Sequence, residues 1–327
     1  MKEGILKLLK ENNDDFLSGE KISEYFNVSR AAIWKHINTL KEEGYEIESV
    51  PRKGYRLISS PDILTYGEIE KYLDTEFIGR KIYYFDTIDS TNKKAKEIAL
   101  EEVEGTIVIS EEQTLGRGRL GRGWVSPKGK GIWMSIILKP QIDPMKVAKI
   151  TQIGAAAVSL ALEDLDIKSY IKWPNDIVIN RKKVCGILTE MSCELNMINY
   201  VIMGIGINVN LDKQDFRGEI ENVGTSLKVE TGKKISRKKL LGLFLNRFEE
   251  LYTSFINKDN FEDTLKICRN KSILIGKEVR IIKGRDEKSG KVVGINDEGE
   301  LLVDYGENKV ENIMSGEVSV RGLYGYV

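Results

Sequence analysis

The residues best suited to chemistry lie in a short segment that alternates arginine with glycine. Residues 116–124 read Gly-Arg-Gly-Arg-Leu-Gly-Arg-Gly-Trp, so Arg117, Arg119 and Arg122 are carried on a backbone with little conformational preference of its own. Guanidinium groups bind phosphate and carboxylate oxygens through two parallel hydrogen bonds. The spacing therefore predicts a loop that wraps an anionic substrate, although a lone segment of this kind is more often a solvated surface loop.

Three glycines of this segment, Gly116, Gly118 and Gly121, also match the dinucleotide-binding pattern G-x-G-x-x-G. That pattern needs a strand before it and a helix opening from it. The apolar run 132–138 that follows predicts a second strand instead. The sequence therefore argues against a Rossmann dinucleotide site at this loop.

A second group of polar residues follows a long apolar helix predicted over 144–165. The run Lys-Trp-Pro-Asn-Asp at 172–176 precedes two predicted strands joined by a basic turn. Lys183 ends that turn and borders an apolar strand, so it can project over a pocket while its neighbours face water. Gly204 and Gly206 lie inside another apolar strand, which indicates the close approach of a ligand or another backbone, or a bulge.

The residue inventory excludes several kinds of chemistry. His36 is the only histidine, so a Ser-His-Asp triad and a multi-histidine metal site are impossible, and no protein metal site is predicted. The three cysteines have no C-x-x-C spacing, which argues against a disulfide framework and favours a reducing cytoplasm. Fifty basic residues balance fifty acidic ones, so any nucleic-acid site must be a local patch.

Neither a signal peptide nor an apolar segment long enough to span a bilayer is expected, so we predict no membrane partner. With 327 residues the chain is long enough for two or three domains. We predict an α+β protein with domains at 1–60, 61–272 and 273–327. The second would be a mixed-sheet α/β domain, and the third, with its short alternating segments, a small β-barrel.

The first domain has the pattern of a winged helix-turn-helix. Ser18 and Ser29 can cap two short helices that a tight turn separates, and residues 45–57 read as two strands around a basic tip. The second helix of such a unit enters a major groove. A small interaction module with a solvated charged face is the alternative. The residues predicted to contact DNA, as a dimer on two half-sites, are Ser29, Arg30, Ala31, Trp34, Lys35, Arg52 and Lys53.

These motifs in this order resemble the biotin protein ligases, and with the winged helix in front and the small barrel behind the chain is similar to their bifunctional repressor form. The resemblance implies a central domain of the biotin/lipoate ligase type and an SH3-like barrel. It also implies formation of biotinyl-5′-AMP from biotin and ATP, with Mg²⁺ carried by ATP, and transfer of biotin to a lysine of a biotin carboxyl carrier protein. Biotin-responsive repression at an operator, by a homodimer that forms when the adenylate is bound, would follow.

The resemblance also implies roles for single residues. Arg119, Lys183 and Asp176 would be catalytic. The biotin site would comprise Ser90, Thr91, Asn92, Gln113, Gly116, Arg117, Arg119, Lys183 and Gly186. The ATP site would comprise Arg117, Arg122, Trp124, Asn175 and Asn208.

Three other readings stay open at this point. A lipoate-type ligase shares the adenylation logic, but its loop is expected to contain a histidine, which this chain lacks outside its first domain. The second domain could sense biotin without ligase activity, leaving a transcription factor. Conversely, the winged helix could be vestigial, leaving an enzyme alone.

Overall fold

The computed structural model describes residues 1–12, 14–306, 309–316, 318–323 and 325–327. The chain divides into two compact units, Met1–Lys71 and Tyr72–Val327. Each has its own buried apolar residues and is described separately below.

The first unit is a helical bundle with a two-stranded antiparallel wing. Its core is formed by apolar residues at helical spacing, among them Ile5, Ile22, Ile33 and Leu40, all fully buried. Ser18 and Ser29 cap the second and third helices as predicted, each accepting a hydrogen bond from the backbone three residues on. The elements are α1 (Lys2–Glu11), α2 (Gly19–Phe26), α3 (Arg30–Glu42), β1 (Glu46–Val50), β2 (Gly54–Ser59) and α4 (Tyr66–Ile69).

A seven-stranded mixed sheet forms the centre of the second unit. Its strands are β3 (Ile82–Ile88), β4 (Ile107–Gln113), β5 (Ile132–Leu138), β6 (Tyr170–Lys172), β7 (Asp176–Ile179), β8 (Lys182–Glu194) and β9 (Met197–Ile207). Their order is β3-β4-β5-β9-β8-β7-β6, and only the pair β3 and β4 is parallel. Residues 114–131, which connect β4 to β5 and are all described, contain a one-turn 3-10 helix at Arg119–Gly121 but no α-helix, in agreement with the argument against a Rossmann site.

Helices cover both faces of this sheet. The helices are α5 (Thr91–Ile98), α6 (Val147–Glu163), α7 (Leu227–Thr231), α8 (Arg237–Lys258) and α9 (Glu262–Asn270). Ala95 of α5 packs with Ile202 of β9, whereas Gly154 of α6 lies against Met203. Because adjacent strand residues point to opposite faces, α5 and α6 lie on opposite sides of the sheet.

A second, five-stranded antiparallel sheet follows the last helix. Its strands are β10 (Glu278–Lys283), β11 (Asp286–Ile295), β12 (Leu301–Asp304), β13 (Val310–Ile313) and β14 (Val318–Gly322), in the order β13-β12-β11-β10-β14. The predicted fold class is confirmed. The sequence pattern did not predict the strands β6 and β14 or the helix α7. Both sheets lie in the single compact unit Tyr72–Val327, and the boundaries predicted after residues 60 and 272 stay predictions.

One expectation about membranes is wrong as stated. Residues Pro144–Glu163 form a helix that is long and apolar enough, by length and composition, to cross a bilayer. However, 72% of its most apolar window is buried inside the fold. Its apolar surface is therefore used for packing against the sheet and α8, as in the core helix of a globular domain.

Candidate functional site

A cavity of about 320 Å³ opens on the α5 side of the central sheet. The glycine-arginine loop 116–124, the segment 172–176 and strands β8, β9 and β14 all contribute to its wall. The predicted site residues that line it are Ser90, Thr91, Asn92, Gln113, Arg117, Arg119, Arg122, Trp124, Asn175, Asp176, Lys183 and Gly186.

Two predicted site residues lie outside this wall. Gly116 is used structurally, because its carbonyl accepts a hydrogen bond from the Trp124 backbone at 2.9 Å. Asn208 is buried and donates to the Thr225 carbonyl at 3.0 Å. It lines a smaller adjoining cavity of about 60 Å³, which also includes Trp124 and Lys183.

A hydrogen-bond network holds the polar end of the cavity where α5 begins. The Gln113 amide oxygen accepts from the Thr91 backbone at 2.9 Å and from its hydroxyl at 3.1 Å. The Ser135 hydroxyl lies 2.6 Å from the Asn92 amide oxygen, and the Asn92 amide donates to Glu190 at 2.8 Å. These side chains are therefore fixed before any ligand arrives, as a small polar head group requires.

Glycines of β8 and β9 make room for the side chains that form the floor. A Cβ at Gly204 would lie 2.0 Å from the Asn92 amide oxygen, and one at Gly206 would lie 2.3 Å from the Trp124 indole nitrogen. A Cβ at Gly186 would lie 2.8 Å from the Lys183 Nζ. The sequence predicted that a ligand or another backbone approaches Gly204 and Gly206, or that they form a bulge. In the structure, side chains of the protein itself occupy the space beside these glycines.

The glycine-arginine loop folds as a short hairpin. The Gly118 backbone donates to the Arg122 carbonyl at 2.7 Å, and Arg117 pairs with Gly123. Leu120 at the tip has the left-handed φ of 56°. Arg117 and Arg122 are exposed, so their guanidinium groups are free to move toward an anion.

Arg119 is the half-buried arginine of the loop. It donates to the Asn175 amide oxygen at 2.8 Å, to the Val318 carbonyl at 3.2 Å and to the Gly316 carbonyl. Burial lowers its pKa from the ordinary arginine value, since desolvation disfavours the charged form. Nearby Asp176 acts in the opposite direction.

Lys183 lies at the cavity wall and forms an ion pair with Asp176, with 2.6 Å between Nζ and Oδ1. Its Nζ also lies 5.1 Å from the centre of the Trp124 ring. Lys182 beside it is exposed, as the basic turn predicted. Burial raises the pKa of Asp176, but the charges of Lys183 and Lys172 outweigh that effect and keep it below the ordinary aspartate value.

The sequence did not assign Lys172, Arg321 or Tyr326 to the site, yet all three line the cavity. Lys172 is 4% exposed, and burial lowers its pKa to about 7 despite the opposing charge of Asp176. The position of Lys172 in the polar run 172–176 was a signal in the sequence from which it could have been assigned to the site. Nothing in the sequence placed the C-terminal Arg321 and Tyr326 near that run, because the tertiary fold alone brings β14 there.

The site can stabilise negative charge next to a carboxyl group. Arg117, Arg119, Arg122 and Lys183 surround one cavity, and a cation about 4 Å from an anion contributes about 4 kcal/mol at an effective dielectric near 20. Among the residues that the structure describes, no group of three His, Cys, Asp or Glu side chains could hold a metal ion. The arrangement suits acyl-phosphate chemistry with charge neutralisation and positioning.

In the first unit, the predicted DNA-contacting residues are all exposed. Arg30, Ala31, Trp34 and Lys35 lie on α3, opposite the buried Ile33 and Ile37, and Trp34 is 61% exposed. Ser29 is the exposed N-cap of that helix. Arg52 and Lys53 are exposed at the tip of the wing between β1 and β2. Arg30 forms an ion pair with Glu20 of α2.

Comparisons with known families agree with this architecture. The profile of the Biotin/lipoate A/B protein ligase family matches residues 84–208, an HTH domain profile matches 2–56, and the Biotin protein ligase C terminal domain profile matches 274–321. The fold and the site therefore define a protein ligase of the biotin/lipoate class that carries an N-terminal helix-turn-helix.

Relatives that match nearly the whole chain show which family within this class the chain belongs to. The chain is 40% identical to the Bifunctional ligase/repressor BirA of Bacillus subtilis over 98% of both chains. It is 29% identical to the Bifunctional ligase/repressor BirA of Escherichia coli over 94% of both chains. This chain belongs to the family of bifunctional biotin protein ligases and repressors.

A solved structure supports the same conclusion. The chain is similar to the biotin protein ligase from Aquifex aeolicus in complex with biotin and ATP, with a TM-score of 0.65 and 33% identity. That similarity covers 74% of this chain and 99% of the Aquifex chain.

Proposed function

We propose that this chain activates biotin with ATP as biotinyl-5′-AMP, transfers biotin to a lysine of a biotin carboxyl carrier protein, and represses biotin genes in response to biotin. The observation that carries the enzymatic part is the ion pair of Lys183 with Asp176 in a cavity that also contains Arg119. The family supports both activities, since its members are named ligase/repressor.

In the first step the biotin carboxylate attacks the α-phosphorus of ATP and pyrophosphate leaves. Lys183 and Arg119 would hold the carboxylate and the α-phosphate as negative charge develops between them. Arg117 and Arg122, exposed on the loop, would close over the nucleotide, with Mg²⁺ bound by the phosphates of ATP. Trp124 would provide an aromatic wall for the nucleotide, while Thr91, Asn92 and Gln113 bind the biotin head group.

In the second step the amine of the carrier lysine attacks the biotinyl carbonyl carbon, AMP leaves and the nitrogen loses a proton. Asp176 and Asn175 lie beside the proposed reaction centre. Because the pKa of Asp176 is lowered, it stays ionised and orients cations better than it accepts protons.

Exchange of labelled pyrophosphate into ATP tests the enzymatic part. We expect exchange with biotin but not with lipoate or octanoate, and its loss in Lys183→Ala. Lys182→Ala is the matched control, since Lys182 is the exposed neighbour of Lys183 at the start of β8, and it should keep wild-type exchange. Exchange with lipoate alone would indicate a lipoate-type ligase, and no exchange with any acid would favour a sensor without ligase activity.

The repressor function would link the two units through self-association. We propose that biotinyl-5′-AMP orders the glycine-arginine loop and thereby favours a homodimer that binds two operator half-sites. Ordering a glycine-rich loop costs conformational entropy, which contacts with the adenylate offset. Sedimentation with and without the adenylate would give the two dimerisation constants, and equal constants would contradict this mechanism.

Cys185, Cys193 and Cys268 are free, which supports a cytoplasmic location.

A further inference from the structure

The C-terminal tail reaches the centre of the candidate active site. The hydroxyl of Tyr326, the second-last residue, donates a hydrogen bond to Oδ2 of Asp176. The Lys172 Nζ lies 3.4 Å from the centre of the Tyr326 ring, and the Arg321 guanidinium carbon lies 5.3 Å from it. The Tyr326 side chain thus donates to the Asp176 carboxylate through its hydroxyl, and the basic groups of Lys172 and Arg321 lie over its ring.

The backbone of the tail folds back on β14. Gly322 and Gly325 pair as an antiparallel bridge, and a Cβ at Gly322 would lie 2.4 Å from the Val327 carbonyl carbon. The end of the chain thus lies against Gly322, and Tyr326 lines the cavity wall. Burial and the neighbouring Asp176 raise the pKa of Tyr326, so its hydroxyl keeps the proton that it donates.

The two oxygens of Asp176 have different partners. Oδ1 forms the ion pair with Lys183, and Oδ2 accepts from Tyr326. Oδ1 has no hydrogen-bond donor among the described residues, so the hydrogen bond from Tyr326 is what fixes the carboxylate and, with it, the place of Oδ1 beside the Lys183 ammonium group.

We propose that Tyr326 is a positioning residue for the ligase reaction, which orients Asp176 and, through it, Lys183. This inference rests on the proposed ligase function. It makes the tail that follows the C-terminal sheet a contributor to the reaction through a specific hydrogen bond. It also predicts a pH signature that loss of packing alone would not produce.

The pH signature follows from the charges around Asp176. The hydrogen bond from Tyr326 favours the ionised carboxylate, so its removal raises the pKa of Asp176. The acid limb of the rate profile should then move to higher pH. The groups that face Asp176 are Arg119 from the loop, Lys172 of β6, Lys183 and Cys185 of β8, Arg321 of β14 and Tyr326 of the tail.

The kinetic experiment compares full-length Tyr326→Phe with the wild type in pyrophosphate exchange and in biotin transfer to a carrier protein. Phenylalanine keeps the ring over Lys172 and removes only the hydroxyl. We expect a loss of about tenfold in rate near neutral pH, as for a hydrogen bond to a charged group, with an acid limb at higher pH. Tyr305→Phe is the control and should match the wild type, since Tyr305 follows β12 and its ring lies beside Lys288. Loss by the same factor at every pH would overturn the proposal.

A second readout does not depend on activity. In protein labelled with ¹³C at the aspartate carboxyl groups, the Asp176 resonance is assigned by its absence in Asp176→Asn. We expect that resonance to begin shifting at a higher pH in Tyr326→Phe than in the wild type, and identical behaviour would overturn the proposal. If the wild type shows no biotin-dependent exchange, the ligase function fails, and this resonance still shows whether Tyr326 controls Asp176.

Discussion

At Gly204 the absence of a side chain makes room for Asn92. The Asn92 amide cannot move away easily, because Ser135 and Glu190 hold its two ends. This single position therefore couples the geometry of β9 to that of the polar end of the cavity. Glycine is needed at such a strand position because a neighbouring side chain occupies the space that a Cβ would fill, and not because the backbone has a conformation that favours glycine.

We predict that Gly204→Ala destabilises the protein and impairs biotin binding. Its Cβ would lie 2.0 Å from the Asn92 amide oxygen, so the network must shift at a cost of about 1–3 kcal/mol. Urea denaturation would measure the loss, and calorimetric titration should show weaker biotin binding. Gly67→Ala is the control, since a Cβ there has no atom within 4 Å. Unchanged biotin affinity in Gly204→Ala would contradict the assignment of Asn92 to the biotin site.

Lys172 should give the folded chain a measurable pH dependence. Its pKa falls from 10.5 to about 7 on burial, so between these values the unfolded chain binds a proton that the folded chain does not. The free energy of unfolding therefore rises with pH across that window, by at most about 1.4 kcal/mol per pH unit. Lys172→Met removes the titrating group.

Urea denaturation of the wild type and Lys172→Met, from about pH 6 to about pH 9, would test this linkage. The free energy of unfolding of the wild type, minus that of the variant, should increase with pH. A difference that stays constant would show that Lys172 keeps its ordinary lysine pKa in the folded chain.

At the scale of elements, α3 and the wing each carry exposed basic side chains. Arg30 forms an ion pair with Glu20, so its positive charge is partly neutralised and attracts a DNA phosphate less strongly. Lys35 forms no ion pair with any residue in the described ranges of the chain, and it is exposed. Lys35 is therefore the better probe of electrostatic binding.

We predict that Lys35→Ala weakens operator binding and reduces its dependence on salt concentration. Loss of one phosphate contact lowers the magnitude of the slope of log K against log salt by about 0.9. Fluorescence anisotropy at several salt concentrations would measure both effects. Lys7→Ala, which removes the same charge from the exposed side of α1, should leave the affinity and the slope unchanged. Equal effects of the two substitutions would place the DNA surface elsewhere.

At the scale of the whole molecule, the central sheet and the C-terminal sheet share one compact unit, Tyr72–Val327. The Gly299 carbonyl, in the turn before β12, accepts hydrogen bonds from Trp173 at 2.9 Å and Gln152 at 2.8 Å. Arg119 donates to the Val318 carbonyl of β14. The C-terminal sheet and the turn before β12 are thus bonded to Arg119 of the glycine-arginine loop and to Trp173 of the segment 172–176, both of which line the candidate site.

We predict that residues 72–327 alone keep biotin-dependent pyrophosphate exchange and lose operator binding. The residues that line the candidate site all lie in this unit. Exchange assays and anisotropy on the shortened chain would check both outcomes. Loss of exchange in a folded fragment would mean that the first unit contributes to the chemistry.

The sequence by itself determined the local features of this protein. Helical caps at Ser18 and Ser29, the strand 132–138 and the exposure of Lys182 beside Lys183 follow from residue type and spacing, because they depend on neighbours along the chain. Of the fourteen ligase-site residues that the resemblance indicated, twelve line the cavity.

Only the tertiary structure decided the remaining contacts, because they join residues far apart in the sequence. It placed Asn208 in an adjoining cavity, buried Lys172 beside Asp176 and brought Tyr326 to that carboxylate across 150 positions. The short β6 and β14 were missed for the same physical reason, since their stability comes from pairing with distant strands and not from their own periodicity.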